Sequence, residues 1–457
     1  MCGLNVLING TAQQILDMNA AISFRGVRSR IMRPFNSKTV RFGHVRLPIQ
    51  GLSIDDDQPF RTRRHETMFV GELFNFREVD PGATCDTKVL ADLLESDSTT
   101  WRMIGRMFDG FYAIAIYDVV TGTTSIVTDG LAKKPLYIRS NGDGPVGISS
   151  QIKPLLCLGP VTWDETYLAA VRKWGYCPDQ STPFNEITKV PPFMSMVFDG
   201  DGKCLQACAY DKYEPNHKID LAHALETAVV NRLVSDVPVS VLLSGGLDST
   251  IVYQLASMHS NNLTAFHVAN DEVQFLEHLH FGRNVKRMML TTDEEDIDAA
   301  IVANETPVDL GSMQPQYALG RAIKRAGFQV AISGDGADEL FGGYRRAAEY
   351  DSQWSDVFHE LIHYHCPRLD RLMMNATVEL RCPFLSRPVI EHALSLPWEV
   401  RMAKEYLKTT FADIVPAAIL DREKKPLKAR AIIDDKMAYR FDIVDRFKRL
   451  FSEYIAG

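Results

Sequence analysis

Val237-Pro238-Val239-Ser240-Val241-Leu242-Leu243-Ser244-Gly245-Gly246-Leu247-Asp248-Ser249 is the stretch that decides the fold. Val237 to Leu243 is an apolar run of strand length, and Thr250 to His259 has helical spacing. Between them, Ser244 to Ser249 reads as a tight strand-to-helix loop. Two glycines let the backbone approach phosphate oxygens, and the helix start beyond offers unpaired N–H groups and a favourable dipole. Asp248 has the wrong charge for a direct phosphate contact, which points to Mg²⁺ as an intermediary. The loop lacks the Gly-Lys-Ser/Thr ending of a Walker A motif.

Working outward, the pattern repeats. Helical Leu221 to Val234 precedes this strand, strand Thr264 to Val268 follows it, and helix Gln316 to Ala326 leads into strand Phe328 to Ile332. This β-α-β rhythm predicts a parallel sheet covered by helices. The residues before about Tyr210 differ, being rich in short alternating runs such as Val40 to Leu47 and Phe111 to Tyr117. Helical patterns intervene at Thr87 to Leu94 and Asp164 to Val171, and Asp199-Gly200-Asp201-Gly202 signals a hairpin after Met194 to Phe198. Polar Asp211 to Lys218, with Pro215, reads as the linker. The expectation is an α/β chain of two domains, 2–210 and 218–457.

Composition narrows the function. The chain has 457 residues, is 46% hydrophobic and carries a net charge of −8. That balance speaks against a sequence-independent nucleic-acid binder. The longest apolar runs fall far short of a membrane span, and the start lacks a signal-peptide pattern. Eight cysteines are scattered with no CxxC pair, which predicts a reduced, cytoplasmic protein.

Cys2 stands between Met1 and Gly3. A small second residue suits methionine removal, which would place a thiol and a free α-amine on one residue. Such an amine, with a pKa near ~8, is able to take the thiol proton at neutral pH.

The chain resembles the glutamine-hydrolysing asparagine synthetases, and the resemblance covers nearly all of it. SGGLDS at Ser244–Ser249 is the pyrophosphate loop of the N-type ATP pyrophosphatases. Cys2-Gly3, Arg25-Gly26, Arg46-Leu47-Pro48-Ile49, Gly71-Glu72 and Cys85-Asp86 match the class II glutaminase pattern in order, as do Phe108 to Asp118 and Leu131 to Tyr137. Ser333 to Tyr344 (SGDGADELFGGY), Val378 to Leu385 (VELRCPFL) and Arg422-Glu423-Lys424 match the synthetase half.

The resemblance implies an αββα Ntn-hydrolase sandwich followed by an adenine nucleotide alpha hydrolase-like domain. It implies glutamine, aspartate and ATP as substrates, Mg²⁺ as cofactor, no nucleic-acid or membrane partner, and an assembly in which a homodimer is admissible. Cys2 would attack the glutamine amide, with Gly71 supporting the oxyanion. Glutamine would lie against Arg46, Leu47, Pro48, Ile49, Gln50, Val70, Gly71, Glu72 and Asp86. ATP would lie against Leu243, Ser244, Gly245, Gly246, Asp248, Ser249, Val268, Ser333 and Gly334, with Asp248 and Asp338 holding the metal. Lys424 would sit beside the phosphates and Asp335 would assist ammonia attack. Read alone, Arg46, Asp86 and Lys424 are solvated charges; only their register with the family pattern gives them these roles.

Departures concentrate in the first half. The family's Asn-Gly-Glu is Val70-Gly71-Glu72 here, and valine cannot donate to an oxyanion. The family's HRGPD loop is Phe24-Arg25-Gly26-Val27-Arg28, Thr128 replaces an arginine and Gln151 a glutamate. Three other readings stay open: a ligase amidating another carboxylate, a binding protein with a degenerate glutaminase half, and a zinc protease built on the HExxH match His359-Glu360-Leu361-Ile362-His363.

Overall fold

The computed structural model describes residues 2–140, 142, 144–260, 262–268, 276–277, 279, 286–290, 296–309, 311–344, 358, 360–421 and 436–456. Lys424 and His359 lie outside the described residues, and Val268 is described by its backbone alone.

The first half stacks two six-stranded antiparallel sheets. One runs, edge to edge, Ile187–Lys189, Tyr137–Arg139, Val146–Ser149, Gly3–Ile8, Val40–Arg46, Arg28–Met32. The other runs Cys204–Ala209, Met194–Phe198, Thr124–Thr128, Gly110–Asp118, His65–Leu73, Phe60–Arg61. Strand alternation explains the stacking. In Gly110–Asp118, Ala113 and Ala115 join Leu4, Val6, Phe42 and Met68 between the sheets. Tyr112, Ile114 and Ile116 point the other way, to helices Asp86–Leu93 and Trp101–Met107. Helix Ala12–Ala21 covers the outer face of the first sheet through Ile15 and Met18. The layers are therefore helix, sheet, sheet, helix.

The second half is built on a five-stranded, all-parallel sheet in the order Lys286–Leu290, Thr264–Val268, Val239–Leu242, Val330–Ile332, Glu379–Arg381. Val241, Ala265, Ala331 and Ile332 are buried, as a sheet covered on both faces requires. The helix after Val239–Leu242 begins at Leu247, inside the motif, rather than at Thr250. Gly246 caps it in an extended conformation, while Gly245 takes the left-handed turn at φ +78°. Asp248 thus occupies the first helical turn, beside the positive end of the dipole.

Ionic contacts join the halves. Asp370 on helix Cys366–Asn375 meets Arg25 at 3.0 Å and also Lys134, all three buried. Arg232 grips Asp109 at 2.6 Å. The linker is tied down by Asp211 to Arg106 and Arg387. Helix Lys436–Leu450 returns to pack on Glu165–Trp174 of the first half. Among the described residues no helix is long and apolar enough to cross a membrane.

Candidate active site

The first half gathers its predicted residues around Cys2, at the start of strand Gly3–Ile8. Cys2 belongs to the same hydrophobic core as Leu47, Ile49 and Val70. Arg25 Nε donates to its carbonyl oxygen at 2.9 Å. Burial pushes the Cys2 thiol up from its ordinary value, against the opposing pull of the Leu47 N–H and Arg46. Val70 pairs with Ala113, fully buried. Gly71 takes φ +145°, and a β-carbon there would strike the Phe111 carbonyl, so no other residue fits.

The three charged residues expected around glutamine are buried and internally engaged. Arg46 donates to the Asp57 carboxylate at 2.7 Å and to the carbonyls of Ser53, Gln50 and Gly51. Glu72 accepts from the Gln50 side chain and faces Arg381 at 3.7 Å. Burial, then repulsion from Glu379, holds Glu72 well above the carboxylate range. Glu379 is also buried, but Arg381 Nε at 2.6 Å draws it below its ordinary value, so Glu379 takes the charge and Glu72 the proton. Asp86 accepts from Leu73 N–H at 2.9 Å and Thr87 N–H at 2.7 Å, yet burial pushes it up to about 6. Leu47, Pro48, Ile49 and Gln50 form the segment that leaves strand Val40–Arg46.

The second half brings two distant loops together. Ser244 and Ser249 hydroxyls lie 3.0 Å apart, and Ser249 Oγ also receives the Ser244 N–H, so the Ser244–Ser249 loop is closed on itself. Gly334 abuts it. A β-carbon on Gly334 would stand 2.8 Å from Asp248 Cβ and 3.0 Å from Ser249 N. Leu243 is buried and its N–H bonds to Phe266 O at 2.8 Å. Ser333 Oγ donates to Asp335 at 2.6 Å, and Arg368 approaches the other Asp335 oxygen at 3.8 Å.

Asp248 and Asp338 converge on one point, the Lys404 ammonium, which bonds both. Although burial opposes its charge, the two carboxylates push the Lys404 amine above its ordinary value. Two carboxylates sharing one cation beside a phosphate-type loop suit Mg²⁺, which takes one or two carboxylates and fills the rest of its shell with water and phosphate oxygens.

Comparison with known proteins now bears on this arrangement. The glutamine amidotransferase domain family matches residues 1–209, and the asparagine synthase family matches 220–362 and 352–446. The chain belongs to the glutamine-hydrolysing asparagine synthetase family. "Asparagine synthetase [glutamine-hydrolyzing] 1" of Arabidopsis thaliana is 27% identical, over 84% of this chain and 69% of that protein. The synthetase of Triphysaria versicolor is 26% identical over 93% and 77%, and that of Sandersonia aurantiaca 26% identical over 93% and 86%.

Within this asparagine synthetase relative, Lys404 was not visible as a site residue. It sits in Arg401-Met402-Ala403-Lys404, with no motif around it, and takes a left-handed φ of +60°. Gly343 lies so close to Lys404 that a β-carbon there would clash with its side chain, and Lys404 N–H bonds to Phe341 O. The glycine pair in the Ser333–Tyr344 block was the available signal, since it lets another chain segment close in. Arg25 and Asp370 were likewise missed as a pair, being 345 residues apart. The HExxH segment belongs to the asparagine synthase match, and Leu361–His365 is π-helical. His365 faces Glu339 at 3.5 Å and Glu360 at 3.8 Å, and among the described residues no three candidate metal ligands gather.

Proposed function

We propose that the protein is a glutamine-hydrolysing asparagine synthetase, with a glutaminase domain over 2–210 and a synthetase domain over 218–457. The observation that carries the reading is the meeting of Gly334 with the Ser244–Ser249 loop beside Asp248, Asp338 and Lys404. An adenylate-forming site needs that combination of phosphate cradle and paired carboxylates. ATP lies against Leu243, Ser244, Gly245, Gly246, Ser249, Val268, Ser333 and Gly334. Asp248 and Asp338 hold Mg²⁺, which neutralises pyrophosphate charge, and Lys424 assists at the phosphates.

The aspartate side-chain carboxylate attacks the α-phosphorus of ATP, forming an acyl-adenylate and releasing pyrophosphate. Ammonia then displaces AMP, with Asp335 accepting a proton. In the other half the Cys2 sulfur attacks the glutamine amide and expels that ammonia, leaving a glutamyl thioester that water hydrolyses to glutamate and the free thiol. The Cys2 amine, freed by methionine removal, serves as base, and Arg46, Glu72 and Asp86 hold the α-substituents of glutamine. Eight free thiols, three of them exposed, support a reducing, cytoplasmic location. The homodimer remains part of the proposal by family resemblance alone.

The test is pyrophosphate release with Mg²⁺-ATP and ammonia across a panel of carboxylates. Aspartate is expected to give the highest kcat/KM. Release with another carboxylate and none with aspartate would retain the ligase chemistry and overturn the acceptor. Cys2→Ala is expected to abolish glutamine-dependent synthesis and to spare ammonia-dependent synthesis.

A further inference from the structure

Arginine offers four terminal N–H bonds, and a bidentate carboxylate needs two of them. In Arg46 all four point into one segment of its own chain. Nη1 donates to Asp57 Oδ1 at 2.7 Å and Ser53 O at 3.0 Å, and Nη2 donates to Gln50 O at 3.0 Å and to Gly51 O. The same segment reaches the second anchor, since Gln50 Nε2 donates to Glu72 Oε2. The far end of the segment is fastened from outside. Arg28 donates to Asp57 Oδ1 at 3.1 Å and to the carbonyls of Leu52 and Ser53, both at 2.9 Å. Asp57 therefore sits between two guanidinium groups, one buried and one partly exposed.

Resting on the reading of this half as a glutaminase, we infer that residues Gln50–Asp57 are a built-in competitor for glutamine, with the Asp57 carboxylate on Arg46 in the place of the substrate's α-carboxylate. Glutamine binds only by displacing Asp57 and at least one of the segment's carbonyls from Arg46, so the Asp57 contact weakens the apparent affinity of the glutaminase half. Its effect is specific for ligands carrying an α-carboxylate. A neutral thiol reagent makes no demand on Arg46.

The experiment follows glutamate release against glutamine concentration in the full-length protein. It is paired with protection of Cys2 by glutamine against iodoacetamide, which reads binding without turnover. Asp57→Asn keeps the shape and removes the charge. Its KM for glutamine and its half-protecting concentration are expected to fall by about tenfold, the worth of a charge-assisted hydrogen bond. Glutamate release at saturation is expected to change little. Arg28→Gln leaves Arg46 and Asp57 in place and loosens the fastening, so it should shift both readings the same way by a smaller factor. It also serves should Asp57→Asn fail to fold. Unchanged KM and protection in the folded variants would overturn the inference and leave the glutaminase reading standing. No glutamate release and no protection in any form, with Cys2 still alkylated, would overturn both.

Discussion

Gly334 lies against Asp248 so closely that a β-carbon on the glycine would stand 2.8 Å from Asp248 Cβ and 2.9 Å from its carbonyl carbon. Backbone cannot retreat as a flexible side chain does. Gly334→Ala should therefore push the Ser244–Ser249 loop away from its partner loop at an overpacking cost of about 1–3 kcal/mol. Pyrophosphate release should show a kcat/KM for ATP lowered at least about tenfold, while glutamate release stays as in wild type. A wild-type KM for ATP in this variant would show that the contact does not shape the nucleotide site.

Lys404→Met should remove the ammonium that Asp248 and Asp338 share. Removing one partner of a buried ionic cluster costs about 3–5 kcal/mol. Thermal unfolding in a chelator should show a marked loss of stability. Millimolar Mg²⁺ should restore part of that loss in the variant and add little to wild type. An equal loss with and without Mg²⁺ would count against this carboxylate pair as a cation site.

Val70→Asn addresses turnover. Val70 belongs to the same buried core as Cys2, and an asparagine there would bring an N–H donor into it. A gained oxyanion donor should raise kcat for glutamate release, by up to ~10²-fold. Burying an amide in place of an isopropyl group should lower stability by about 1–3 kcal/mol. An unchanged kcat in a folded variant that binds glutamine would assign the oxyanion to other donors. Asp57 and Val70 thus govern different parameters, the first KM and the second kcat.

Asp86 supplies a pH dependence. Burial raises its carboxyl to about 6, above the ordinary value of a free aspartate. Between the two values the folded chain binds more protons than the unfolded one, so this group's contribution to stability falls as pH rises through that window. Charged Asp86 is the form that pairs with an α-ammonium. The KM for glutamine should therefore drop as pH rises from about 5 to 7 and level off above. Asp86→Asn should flatten the stability change over that window. A KM that is flat from pH 5 to 7 in wild type would remove Asp86 from glutamine binding.

Legibility in the sequence followed locality. Ser244–Ser249 and Ser333–Tyr344 are contiguous, and their glycines announce backbone held close to a ligand. The alternating run Phe111 to Tyr117 announced a strand, and the structure splits its residues between two cores. Lys404 was hidden because its meaning depends on Asp248, 156 residues away. Asp57 was hidden differently. It stands in the run Asp55-Asp56-Asp57, and only the path of the segment decides which of the three turns toward Arg46. The helix start at Leu247 was misplaced because the glycine signals of a turn masked the helical residues that follow them.

Helix Cys366–Asn375 touches both halves at once. Arg368 reaches toward Asp335, and two residues on, Asp370 holds Arg25, which in turn holds the Cys2 carbonyl. A ten-residue helix is a stiff rod of roughly 15 Å, with too little give to let its two contacts drift apart. The neighbourhoods of Cys2 and Asp335 are thus mounted on a common beam.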